Sequence, residues 1–229
     1  MKKLLSFITS AAVLGITMMG RPVFAASSPP NWIHDTPAQL VAQFGDHHPL
    51  TLQLSGMIGV SAQVVQQLPN AKAVAGALAN PSITAQQRAA LESIPTEIKL
   101  VNSRGISGGD PVDDAQMMGY NGIGNWIWTF EVNEGFNSSG GIITSISFPN
   151  YYGTTEAWDW VQTGSPSTTF ITTTGGSDFL TENFDQFTSD YEAVDNVQLN
   201  IAYHANGTFD DTGYVNGAET WMQTNGQPQ

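Results

Sequence analysis

The chain has no cysteine. Disulfides, thiolate metal sites and thiol nucleophiles are excluded, so stability rests on packing, hydrogen bonds or bound ions. Positive charge is nearly as scarce. Seven Lys and Arg stand against twenty Asp and Glu, a formal net charge of −13, and no Lys or Arg follows Arg104. Such a surface repels nucleic acid and anionic lipid headgroups, so neither is an expected partner. Also lacking, beyond the N-terminus, is any apolar run long enough to span a bilayer.

The N-terminus carries an apolar run that is short for a span and breaks at Gly20-Arg21-Pro22. Lys2 and Lys3 precede an apolar stretch from Leu4 to about Met19, and Val23-Phe24-Ala25 places small residues at −3 and −1 of a cleavage site. Residues 1–25 read as a secretory signal peptide, and the expected location is secreted and extracellular. Removing Lys2, Lys3 and Arg21 takes the net charge from −13 to −16 over the remaining 204 residues. Two explanations compete for this acidity. A protein that works in acid has neutral carboxyls there and, lacking lysine, little positive self-repulsion. Alternatively, Ca²⁺ neutralises carboxylate clusters. The first is favoured, because no complete calcium loop is present. No cofactor is expected, and Ca²⁺ is the one candidate ion.

Residues 26–95 read as a helical N-terminal segment, a subdomain or a propeptide. Thr36 caps a helix with Pro37 at its first position. "LTLQLSG" reads as a strand. Ser61 caps a predicted helix over "AQVVQQL", "NAKAVAGALAN" reads as a second, and Thr84 with Gln87 makes a capping box for a third, stopped at Pro95.

From about residue 96 to 229 alternation replaces helical spacing. The clearest strand has Val197, Leu199, Ile201 and Tyr203 on one face, followed by Asn206-Gly207, a hairpin signal. The expected fold is mainly β, an antiparallel, jelly-roll-like β-sandwich behind a small helical part. In "FLTENFDQFTSDYEAV", Leu180, Phe184, Phe187, Tyr191 and Val194 recur at helical spacing, which predicts a short helix.

Two aromatic segments carry the functional candidates. In "WIWTFEVNE", Trp126, Trp128, Phe130 and Val132 share a core face by alternation. Glu131 falls on the polar face, and Glu134 points the wrong way to pair with it. In "YYGTTEAWDW", Trp158 and Trp160 share a strand face with Glu156, next to Tyr151 and Tyr152. Indole and phenol rings stack on sugar faces, and flanking carboxylates bond hydroxyls. The first functional expectation is therefore a binding or adhesion module for carbohydrate or cell-wall glycan. Trp158, Trp160, Tyr151 and Tyr152 are its stacking residues. The alternative is a carboxylate-dependent hydrolase, a glycosidase or acid-active peptidase, with Glu131, Glu156, Asp159 and Glu219 as candidate acids and bases. A third reading is a structural surface protein with no small-molecule site.

Two weaker signals remain. "GISGG" places Ser107 in a G-x-S-x-G pattern, and Asp110-Pro111 predicts a helix after it. The alternating segments that follow are unlike the parallel strands of an α/β-hydrolase. Asp46, His47 and His48, with His34, lack metal-ligand spacing, and no metal site is expected.

Overall fold

A computed structural model describes residues 31–45, 50–57, 62–107, 110–147, 149–172, 177–217, 223–224 and 227–228; side chains over 104–112 and from 216 onward fall outside the description. The predicted signal peptide, Asp46, His47, His48 and Glu219 also lie outside it.

The described chain is an antiparallel β-sandwich preceded by a small helical part. After a 3-10 turn (Asn31–His34) come α1 (Pro37–Phe44), β1 (Leu50–Met57), β2 (Ala62–Gln67), α2 (Ala71–Leu78) and α3 (Ala85–Glu92). Twelve further strands follow: β3 (Pro95–Ser107), β4 (Asp110–Asn121), β5 (Trp126–Ser139), β6 (Ile142–Ile146), β7 (Asn150–Thr155), β8 (Trp160–Gln162), β9 (Ser167–Thr172), β10 (Asp178–Ser189), β11 (Val194–His204), β12 (Thr208–Gly217), β13 (Gln223–Thr224) and β14 (Gln227–Pro228). One sheet runs β1-β12-β11-β10-β8, with β9 also on β10. The other runs β2-β3-β4-β5-β6, with β7 also on β5.

The N-terminal segment thus contributes more than helices: β1 pairs with β12 and β2 with β3, one strand to each sheet. Thr36 caps its helix as expected and also forms a capping box with Gln39, and the expected box of Thr84 with Gln87 forms as well. The three helices share a small core of Leu40, Val41, Val74, Ala77, Ala90, Leu91 and Ile94. Side-chain bonds tie them to the sandwich. Asn70 Nδ2 donates to Phe44 O and Pro95 O, and Trp160 Nε1 donates to Ser93 O.

Between the sheets, inward residues alternate as strands require. Leu52, Val197, Leu199, Ile201 and Val215 meet Ile98, Leu100, Met117, Phe130 and Val132. The predicted inward face of β11 is buried throughout, and Gly207 turns the hairpin at φ 84°.

Three predicted helices are strands instead. Residues 62–67 form edge strand β2, where Val64 alone packs inward on the core; one apolar contact leaves little alternation to read. Residues 110–121 form β4, paired with β3 from Ser107↔Asp110 onward. That hairpin is incompatible with the strand-to-helix elbow of a serine hydrolase. Residues 178–189 form β10, whose buried alternate positions are Thr181, Asn183, Asp185, Phe187 and Ser189. Burying four polar side chains in that alternation hides the period of two.

A bulge reorganises "WIWTFEVNE". Gly119 pairs with Trp128 but Tyr120 pairs with Trp126, so Ile127 is an extra residue on β5. Ile127 and Trp128 both turn into the core, and Trp126 moves to the outer face, 39% exposed, instead of sharing the core face. The bare Cα of Gly119 is what admits the Trp128 indole: a Cβ there would sit 2.5 Å from Trp128 Cε2. The indole stacks on Phe187 at 5.2 Å and donates to Asp195 Oδ2.

Candidate functional site

The outer face of the second sheet is built from alternate residues of β4, β5 and β7. Gln116, Glu131 and Tyr152 stand opposite one another across these strands, Gln116↔Glu131 and Glu131↔Tyr152. Gln116 Nε2 donates to Glu131 Oε2. Asp114, two residues before Gln116 on the same face of β4, is the diagonal neighbour of Glu131 across the paired strands. Two carboxyls this near one another favour a proton on one of them. The Asp114 carboxyl is pushed up to about 6, first by burial, then by the nearby Glu131 carboxylate, with Asp113 adding to it. Asp114 Oδ1 is buried and has no hydrogen-bond donor. Tyr152, beside the pair, is 60% exposed. A close carboxyl pair, a fixed amide and an open phenol therefore lie on one solvent-facing strip.

A cleft of about 520 Å³ opens at the end of this face, where the β4–β5 turn meets α3. Its walls include Ile123, Trp126, Glu156, Trp158, Asp159 and Glu92. Trp158 sits in a turn and is 80% exposed. Asp159 is only 6% exposed, and burial raises its carboxyl above the usual range, with the Asp190 charge adding to this.

The interior holds a third group of polar side chains. Glu134 continues the inward face of β5 beyond Val132. Its Oε2 accepts from Tyr203 Oη at 2.8 Å and Thr181 Oγ1 at 2.9 Å, while its Oε1 has no partner. Burial pushes Glu134 up to about 7, although these hydrogen bonds oppose the shift. Asp113 is its cross-strand neighbour. Asn102 Nδ2 donates to both Asp113 and Asp211. On the outer face of the first sheet, His204 bridges Asp178 and Asp210 at 3.0 and 3.1 Å, and Ser55 donates to Asp210. These two acceptors raise the His204 pKa against the opposing effect of its burial. Among the described residues no group of three or more His, Asp or Glu could hold a metal ion.

The residues singled out from sequence are thus dispersed. Glu131 is in the carboxyl pair, with Tyr152 opposite it in register. Glu156, Trp158 and Asp159 line the cleft. Trp160 does not share an exposed strand face with Trp158: a turn separates them, and Trp160 is 2% exposed in the core. Tyr151 packs against the same core. Sequence reasoning missed Asp114 and Gln116, whose relation to Glu131 exists only through the β4–β5 register. The sole available signal was a polar alternation, Asp114 and Gln116 against Ala115 and Met117.

The fold and these groups define the class: an antiparallel β-sandwich with a carboxyl pair on an open sheet face. Comparison with protein-family models, curated proteins and solved structures gives no match to this chain.

Proposed function

We propose that this protein is a secreted, acid-acting hydrolase of amide bonds, with Asp114 and Glu131 as its acid–base pair. One observation carries the reading: two carboxyls are diagonal neighbours on adjacent strands of a solvent-facing sheet, and the nearby Glu131 carboxylate helps to keep a proton on Asp114. Their closeness argues for peptide over glycoside hydrolysis. Glycosidase carboxyls stand about 5–10 Å apart, with the sugar or a water between them. Diagonal neighbours leave little room for a sugar between them, and a pair that holds one proton is the arrangement that activates water in acid proteases.

In the proposed reaction the ionised carboxylate removes a proton from water, whose oxygen bonds to the amide carbon. The protonated partner donates to the carbonyl oxygen as it gains charge. The C–N bond then breaks as the nitrogen leaves with the proton taken from water, and the proton on the former carbonyl oxygen returns to the partner carboxylate, restoring the pair. Gln116 holds Glu131 in register through its amide, and Tyr152 offers a ring beside the reacting bond. An open sheet face suits an extended or unfolded polypeptide. The lysine-poor composition agrees with an acidic medium. The glycan-binding reading keeps only Tyr152 and Trp158 as exposed rings, because Trp160 and Tyr151 are turned to the core.

The test is digestion of acid-denatured protein and of a mixed peptide library between pH 2 and 7, comparing wild type with Glu131→Gln. Cleavage in acid that the variant lacks supports the reading. Equal cleavage by both, or none by wild type, overturns it.

A further inference from the structure

The cleft beside α3 shows chemistry that the carboxyl pair does not use. Two partly or largely exposed indoles, Trp126 and Trp158, share it with Glu92, Glu156 and Asp159. No Lys, Arg or His lines it. Asp159 is more than nine-tenths buried, forms part of the cleft wall, and takes no hydrogen bond from another residue's side chain among those described. An indole face attracts a cation through its quadrupole, and flanking carboxylates add to that attraction. Glu92 is already paired with Arg88 at 3.9 Å, but no basic side chain lines the cleft beside Glu156 and Asp159, so a ligand group completes the site there.

The β5 bulge links this cleft to the carboxyl pair. By inserting Ile127 it puts Trp126 on the same outer face as Glu131. Trp126 precedes Glu131 by five residues, one of them the bulge residue, so the two lie four residue steps apart along β4 (Tyr120 to Gln116), about 14 Å at strand rise. A substrate peptide laid extended along that face advances at nearly the same rate per residue.

We infer that this cleft is a remote specificity subsite, taking a Lys or Arg side chain of an extended peptide about four residues from the bond at the carboxyl pair. The inference rests on the hydrolase reading for the position of that bond, but not for the affinity of the cleft. Trp158 closes over the alkyl stem and cationic head, while Glu156 and Asp159 face the charge. Trp126 forms the wall nearest the reacting strip.

Binding is tested without turnover. In a Glu131→Gln background at pH 5, an end-blocked alanine-rich octapeptide with one lysine is titrated by tryptophan fluorescence and calorimetry. The same peptide with Nε-acetyl-lysine is the control. The lysine peptide should bind at least tenfold tighter than the control. Trp158→Ala should abolish that difference, with its unfolding midpoint unchanged because the ring is on the surface. Glu156→Gln should reduce it. Equal affinity of the two peptides, insensitivity to Trp158→Ala, or preferential filling of the cleft by a cello- or chito-oligosaccharide overturns the inference. Wild-type cleavage of a lysine-scanning peptide set provides the second measurement. Cuts should cluster about four residues from the lysine. Cleavage indifferent to lysine position overturns the subsite alone. Lysine-dependent binding with no cleavage anywhere overturns the hydrolase reading and leaves the cation site standing.

Discussion

Strands β4 and β5 carry carboxyls on both of their faces, and the two faces treat them oppositely. Asp113 and Glu134 pair in register and point into the sandwich. Asp114 and Glu131, on the same two strands, point out of it. Inside, Glu134 is 1% exposed and satisfied on one oxygen by Tyr203 and Thr181. Outside, Asp114 and Glu131 have each other, Gln116, and an exposed tyrosine. The interior carboxyl is driven to about 7, the surface one to about 6. A raised pKa by itself would therefore choose the wrong face. What separates a catalytic pair from a structural network is access for a substrate.

The sharpest way to break this comparison is to neutralise one carboxyl on each face. Glu131→Gln should lower peptide hydrolysis by roughly 10²–10⁴-fold, the range of a general acid–base group, while stability moves by no more than about 0.5 kcal/mol. A variant that unfolds with activity per folded molecule intact would reverse the roles assigned to the two faces. Asp114 sets the upper pH limit of that activity. Above about pH 6 its proton is lost, so kcat/KM should fall there, and Asp114→Asn should remove that limb together with most of the rate.

The interior carboxyl should speak through stability. Glu134 rises from 4.5 to about 7 on folding, so between these values the folded state holds more protons than the unfolded one. Stability is then greatest below about pH 4.5 and declines as pH rises towards 7. Each tenfold gain in proton affinity is worth about 1.4 kcal/mol, which makes the whole loss about 3 kcal/mol. Asp185, raised to about 6 by burial, acts in the same direction. Urea unfolding from pH 4 to 8 checks this, and Glu134→Gln should flatten the decline. A stability maximum at neutral pH with collapse below pH 4 would sink both this account and adaptation to acid as the reason for the composition.

The same two faces explain how much can be read from sequence. β11 is legible because its inner face is wholly apolar: Val197, Leu199, Ile201 and Tyr203. β10 is not, because Thr181 and Asn183 occupy core positions to serve Glu134 and its neighbours, leaving Leu180, Phe184 and Phe187 to mimic a helix. Alternation puts Trp126 in the core because nothing in the local pattern announces the bulge at Ile127. Glu131 stands out as a lone acid on a polar face. Its partner Asp114 lies in a stretch whose Asp110-Pro111 opening suggests a helix, and strand register is a property of the pair.

Within the interior network, Tyr203→Phe and Thr181→Val each remove one donor to Glu134 Oε2. Tyr203→Phe should cost roughly 1 kcal/mol at pH 5, where Glu134 is neutral, and roughly 1.5–3 kcal/mol at pH 8, where it is ionised.

Thr181→Val should be the gentler change. Its shape is nearly conserved, and Asn183 Nδ2, which also donates to Thr181 Oγ1, keeps Leu199 O as an acceptor. The Thr181 hydrogen bond lowers the Glu134 pKa, so its loss should raise that pKa further and extend the decline in stability to higher pH. Little should change at pH 5, and a deficit of roughly 1 kcal/mol should appear by pH 8. Urea midpoints at the two pH values separate this from a packing defect, which would cost the same at both. An equal cost would mean that Thr181 fills space beside Glu134 without sensing its charge, and that the polar inner face of β10 serves the sandwich by shape alone.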